Sequence, residues 1–206
     1  MSKEKPNMRQ EQAAETRRNL LDSALKLFAE NGFSATPVRS INQKIGMADG
    51  LLYHYFPGGK KEMLQVLVLE NYQLIVSRLR VIQTENFDDL TLEEVIERLY
   101  QNWRNIFTDY RHVIKILFRE TDLFNLLDKA SLSKMRGSET WFQEILRDRA
   151  QKGEIKEFDY VSAAEVLKAV LFDHFLTAVT GIGPGLLDND NTRKRIIAYQ
   201  VGLWKR

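Results

Sequence analysis

The 206-residue chain has no cysteine, which removes disulfides, thiolate metal sites and cysteine nucleophiles together and agrees with a reducing compartment. No apolar run approaches the ~18 residues that a membrane span requires, so no membrane partner is expected. The opening stretch, MSKEKPNMRQEQAAETRR, carries neither the apolar segment nor the small-residue cleavage site of a secretory signal, and a cytoplasmic location is expected. Only three histidines occur, His54, His112 and His174, far apart and outside any HExxH pattern, so neither a metal site nor a metal cofactor is expected.

Other catalytic signatures fail on single residues. Gly58-Gly59-Lys60-Lys61 resembles a phosphate loop, but His54 stands where its first glycine is required, and Lys61 occupies the position of the magnesium-holding Ser or Thr. Gly181-Ile182-Gly183-Pro184-Gly185 follows a helical pattern where a dinucleotide turn needs a strand. Asp188, Asp190 and Thr192 open like a calcium loop, yet Arg193 fills the glycine position and no glutamate closes the site. The expectation is a chain that is not an enzyme and holds no cofactor.

What is present is an ordinary soluble composition, 44% hydrophobic and 28% charged, with an uneven charge distribution. Residues 1–61 hold ten Lys or Arg against six acids, a net of +4, whereas the remainder holds 20 against 22. Any polyanion partner belongs at the front.

The apolar periodicity is helical nearly throughout, and no segment alternates as a strand. After a polar tail of about a dozen residues, Leu20, Leu21, Ala24, Leu25 and Phe28 mark a first helix that stops at Asn31-Gly32. Thr36-Pro37 opens a helix of two to three turns ending before Gly46, and Ala48 to Phe56 forms a second short one closed by Pro57-Gly58-Gly59. A long helix then runs from Lys60 to about Gln83 and connects two parts of the chain. Thr91-Leu92-Glu93-Glu94 reads as a capping box, and further helices are expected over Arg111–Arg119, Leu132–Gln151, Tyr160–Thr180 and Thr192–Trp204. The fold class is therefore all-α. The pattern divides the chain into an N-terminal three-helix domain, expected over residues 1–58, and a second helical domain over residues 59–206.

Two short helices joined by a glycine turn have the layout of a helix-turn-helix, here over about 37–56, whose second helix lies in the major groove of DNA. The candidate contacts are Arg39, Ala48, Asp49, Gly50, Leu51, Tyr53, His54 and Lys60. Small residues at 48 and 50 let the backbone approach the duplex. Tyr53, His54 and Lys60 carry polar tips suited to phosphates, while Asp49 can accept from cytosine N4 and Leu51 can pack on a thymine methyl. A plain three-helix core on a carrier or enzyme for an apolar small molecule is the competing reading, and it requires no DNA preference.

The stretch RRNLLDSALKLFAENGFSATPVRSINQKIGMADGLLYHYFPGGKKEML resembles the N-terminal domain of the TetR family of bacterial transcriptional regulators, through its LF…GF, the following Thr, the I…G turn, and LYHYF before a Lys. The resemblance implies an all-helical homodimeric repressor that binds a palindromic operator in double-stranded DNA and releases it when a small molecule enters the C-terminal domain. Departures are visible. Ala48 replaces a common capping Ser, Asp49 and Leu51 replace common Lys and Thr, and Asn42 and Ile45 replace alanines where the two short helices cross.

In the C-terminal part the stretch Tyr160–Thr180 is apolar on nearly every side, through Val166, Leu167, Val170, Leu171, Phe172, Phe175, Leu176 and Val179. That is more than one core contact can use, so this helix is expected to meet a second copy together with the last helix, through Ile196, Ile197, Val201, Leu203 and Trp204. Rings spread over several helices, Trp103, Phe107, Phe118, Phe124, Trp141, Phe142 and Phe172, are expected to enclose a cavity for a mainly apolar effector, with Tyr100, Asn102, Asp173 or His174 as polar anchors.

Overall fold

A computed structural model describes residues 8–48, 50–120, 139–183, 185–186 and 188–205. The described helices are α1 (Met8–Asn31), α2 (Val38–Lys44), α3 (Leu51–Tyr55), α4 (Gly59–Gln83), α5 (Leu92–Asp109), α6 (Arg111–Arg119), α7 (Glu139–Gln151), α8 (Tyr160–Thr180) and α9 (Asp190–Trp204). Among the described residues no strand forms, and no helix is long and apolar enough to cross a membrane. The chain divides into two compact units, Met1–Tyr72 with His112–Leu126 and Gln73–Arg111 with Leu127–Arg206.

In the first unit α1 begins earlier than the apolar pattern does. Residues 8–15 are fully exposed, and their Gln, Glu, Ala and Arg favour helix without any packing. The buried face starts at Leu20 and continues through Leu21, Ala24, Phe28 and Ala29. Ile41 of α2, Leu52 of α3, the following Phe56, and Met63, Leu64, Leu67 and Val68 of α4 complete a core of residues exposed by 4% or less. Val113, Ile114 and Ile116 of α6 are also buried, and the Arg119 guanidinium donates to the Ala29 carbonyl at 3.1 Å, one of the carbonyls that the end of α1 leaves open. α3 is shorter than the expected Ala48–Phe56. No side chain caps its start, and Phe56 leaves helical geometry at φ −135°, ψ 82°.

The second unit is built around α5. Its start is the expected capping box, with Thr91 Oγ1 accepting from the Glu94 amide at 3.3 Å and the Glu94 carboxylate accepting from the Thr91 amide at 2.8 Å. Leu92, Val95, Ile96, Leu99 and Tyr100 bury one face of α5. α8 and α9 both pack on α5, and α7 packs on α8. The contact with α9 is reinforced by polar pairs. The buried Tyr100 hydroxyl donates to Gln200 Oε1 at 2.8 Å, and the buried Arg193 guanidinium donates to Glu97 and Asp190, each at 2.8 Å. α7 starts within the described residues at Glu139; the expected portion 132–138 lies outside them.

Candidate functional site

The turn between α2 and α3 fixes the geometry of the first unit's candidate surface. α2 ends with Gly46 at φ +69°, whose amide donates to the Gln43 carbonyl at 3.0 Å, while the Met47 amide donates to the Asn42 carbonyl at 3.0 Å. This pair of bonds is a Schellman closure, and its left-handed residue is the glycine that the sequence supplies. Ahead of α2, the buried Thr36 hydroxyl donates to the Gly32 carbonyl at 2.7 Å and makes a second contact with the Leu27 carbonyl at 3.2 Å. Beyond α3, Gly59 has φ +65°, a conformation that favours glycine, and a Cβ built there would sit 3.1 Å from the Tyr53 ring, which would have to give by a few tenths of an ångström.

With Leu52 and Phe56 turned inward, Tyr53 and His54 face out; Tyr53 is 55% exposed. Arg39, Ala48 and Gly50 are exposed as well, and Leu51 is half-buried. Asp49 lies outside the described residues. Exposed Lys44, Met47 and Lys61 belong to the same unit and were not singled out from the sequence. For the two lysines the signal was the excess of positive charge over residues 1–61, and Met47 carried none.

Lys60 has another employment. Its ammonium donates to the carbonyls of Phe33 at 2.6 Å, Thr36 at 2.9 Å and Ser34 at 3.4 Å, and lies 4.4 Å from the centre of the Phe33 ring. The three donors are thereby taken by the loop that leads into α2. The phosphate contact expected from sequence meets an ammonium already bound. Nothing in the sequence pattern distinguishes the two roles, because Phe33 and Lys60 are 27 positions apart.

Asn42 is fully buried, and neither its Nδ2 nor its Oδ1 has a hydrogen-bond partner among the described residues. Arg17 reaches the other side of the unit, 5.2 Å from the Phe56 ring centre and 3.4 Å from the Glu70 carboxylate.

The second unit contains a cavity of about 360 Å³, at the low end of small-molecule sites. Trp103 and Phe107 of α5, Trp141 and Phe142 of α7, and Phe172 of α8 line it as expected from sequence. Its remaining wall is Leu79, Ile82 and Gln83 of α4, Leu99 of α5, and Ala164, Leu167, Lys168, Leu171 and Phe175 of α8. Leu167, Leu171 and Phe175, expected at an interface between copies, thus face this cavity. A helix apolar all round does not reveal which face meets which neighbour. The same holds for Ile197, Val201 and Trp204 of α9, which are buried within the unit.

Five expected cavity residues, Tyr100, Asn102, Phe118, Asp173 and His174, are not in the lining. Tyr100 is buried against Gln200 and is not in the lining; its burial pushes the phenol well above its ordinary value, only partly offset by that hydrogen bond. Phe118 is 42% exposed on α6 in the first unit. His174 is 3% exposed, with its ring centre 5.9 Å from that of Phe107 and its Nδ1 3.6 Å from Asp188. Neither imidazole nitrogen has a hydrogen-bond partner among the described residues, and Asn102 Nδ2 and Asp173 Oδ2 share that condition. Burial holds the His174 imidazole below its ordinary pKa against the pull of Asp188. Phe124 lies outside the described residues. The sequence reading missed Phe175, Lys168 and Gln83, although Lys168, Leu171, Phe172 and Phe175 recur at one-turn spacing along α8.

A family profile described as bacterial regulatory proteins, tetR family, matches residues 20–67. The chain is 28% identical over 148 residues to the HTH-type transcriptional regulator UidR of Escherichia coli K12, covering 71% of this chain and 72% of that protein. It is 27% identical over 172 residues to the HTH-type transcriptional repressor KstR2 of Rhodococcus jostii RHA1, covering 82% and 80%. The solved structure of the ketosteroid transcriptional regulator KstR2 of Mycobacterium tuberculosis shares the fold with a TM-score of 0.60 at 20% identity, over 93% of this chain and 95% of that one.

Proposed function

We propose that the chain is a DNA-binding transcriptional regulator of the tetR family of bacterial regulatory proteins, acting in the cytoplasm as a homodimeric repressor released from a palindromic operator by a small, mainly apolar effector. The observation that carries this reading is the glycine-closed α2–α3 turn with Tyr53 and His54 turned outward from a buried Leu52 and Phe56. Arg39, Lys44, Lys61, Tyr53 and His54 are assigned to phosphates, Asp49 and Leu51 to base edges, and Ala48 and Gly50 to close backbone approach. Lys60 is assigned to holding the loop ahead of α2. Residues 1–58, together with Lys61 in the first turn of α4, carry the DNA contact, the rest of 59–206 senses and dimerises, and no catalytic step is assigned to either.

Dimerisation is assigned to the faces of α8 and α9 that this chain leaves uncovered. Val166 on α8 and Tyr199 and Leu203 on α9 are each more than half exposed and take no part in the cavity lining. Large apolar side chains left in water on two long helices that both pack on α5 support a twofold contact with a second copy. A twofold dimer then demands two half-sites about one or more helical turns apart. The cavity supports the effector, whose release of DNA requires a coupling of about 1 to 3 kcal/mol between the two ligands.

The test is fluorescence anisotropy of the purified chain on labelled genomic fragments with unlabelled competitor DNA. Selected fragments should survive competition. Arg39→Ala should weaken all fragments alike and reduce the salt slope by about one, whereas Leu51→Ala should change which fragments bind. Equal displacement from every fragment would overturn the regulator reading in favour of a carrier of an apolar small molecule.

A further inference from the structure

We propose that the cavity of the second unit receives an amphipathic organic anion, one carboxylate on an apolar body, and that this carboxylate pairs with Lys168. The inference rests on the reading of this cavity as the effector site. Among the described lining residues Lys168 carries a charge and Gln83 an amide, while all the others are apolar. Lys168 stands one turn before Leu171 and Phe172 and two turns before Phe175 on α8, so it shares their side of the helix, and with its side chain 39% exposed it belongs to the part of the wall that meets water.

The Lys168 ammonium is paired with Glu165, three residues earlier on the same helix. The pair is not sealed, since the Lys168 side chain is 39% and that of Glu165 58% exposed. Glu165 can turn to water when a second carboxylate arrives. Lys168 then exchanges one counter-charge for another, and burial of the ligand's apolar body drives the exchange. A cationic ligand has no such exchange and meets a like charge. A polyphosphate would require several cations, and the described lining supplies one. The volume sets the size of the body, because 360 Å³ is room for about twelve waters at ~30 Å³ each, close to a short alkyl chain or a fused pair of rings.

Decanoate, decanol and decyltrimethylammonium, which share one chain and differ in the head, make the comparison. Binding to the full-length protein is read by titration calorimetry and by the emission of Trp103 and Trp141, which lie in the wall. Decanoate should bind about tenfold tighter than decanol, and decyltrimethylammonium weaker than either. Lys168→Met should lower decanoate affinity about tenfold and leave decanol within about twofold, and Lys168→Arg should keep the preference. Glu165→Gln should tighten decanoate. Decanol binding as well as decanoate, or a preference that survives Lys168→Met, would leave the cavity as an effector site and overturn the anion. Silence towards all three compounds overturns both readings.

Discussion

Around α2 and α3 the chain is held mainly by partners close in sequence, whereas α5 and α9 are held by partners about a hundred positions apart. Gly46, Met47 and Thr36 each bond within three to nine residues of themselves, while Tyr100 bonds to Gln200 and Arg193 to Glu97 across 100 and 96 positions. The cores differ in the same way. Leu20, Ala24, Phe28, Ile41 and Leu52 are fully buried, but the aromatic helices of the second unit close around about 360 Å³ of space. Local chemistry can set the angle between two short helices. Only long-range packing can decide whether large rings meet or leave a hollow.

The largest expected effect separates solid from hollow packing. Phe56→Ala, at a side chain 1% exposed, should cost about 3–5 kcal/mol and abolish DNA binding. Trp103→Ala removes a ring that already borders empty space and loses fewer contacts, so its cost in urea denaturation should be clearly smaller. Equal losses at the two positions would erase the distinction. Next comes Lys60→Met, which strips a half-buried donor from three loop carbonyls. A loss of about 1–2 kcal/mol is expected after allowing for solvent screening, together with weaker DNA binding at unchanged salt slope. A reduced slope with intact stability would return Lys60 to the phosphates.

Asn42 gives an effect of opposite sign. Replacing its unpartnered, fully buried amide with leucine, which keeps the branching at Cγ, should raise stability by about 1 kcal/mol, and a fall in the melting temperature would contradict the reading of an unpaired amide. The smallest effect is a pH dependence in the second unit. Burial lowers the His174 pKa from 6.5, so the folded chain resists protonation that the unfolded chain accepts. The contribution is complete above about pH 6.5 and is lost as pH falls through that value towards the lower folded one. The melting temperature should therefore drop on acidification, and His174→Leu should flatten the drop over that window.

Much of the first unit was legible because its signals are local. Gly32, Gly46 and Gly59 stop or turn the chain where positive φ is needed, and in the second unit one equally local signal, Thr91 with Glu94, announces the start of α5. The early start of α1 was not legible, since Gln, Glu, Ala and Arg in water carry no periodic stripe. Nor was the return of α6 to the first unit, a choice made by packing across about ninety residues. In the cavity the aromatic rings Trp103, Phe107, Trp141, Phe142 and Phe172 could be assigned by bulk alone. Lys168 could not, because a cation on a helix reads as a solvated face until its neighbours in space are known. Tyr100 and His174 failed for the complementary reason that a buried polar ring has several walls to meet.

Arg193 has a consequence for covalent labelling. Its guanidinium is inside the fold, 4% exposed between Glu97 and Asp190, while Arg98 and Arg195 on the same pair of helices face water. Phenylglyoxal should therefore modify Arg98 and Arg195 in seconds to minutes and reach Arg193 only when α9 lifts from α5. The adduct at that one position, followed by mass spectrometry, becomes a clock for the opening of this helix pair in the intact protein.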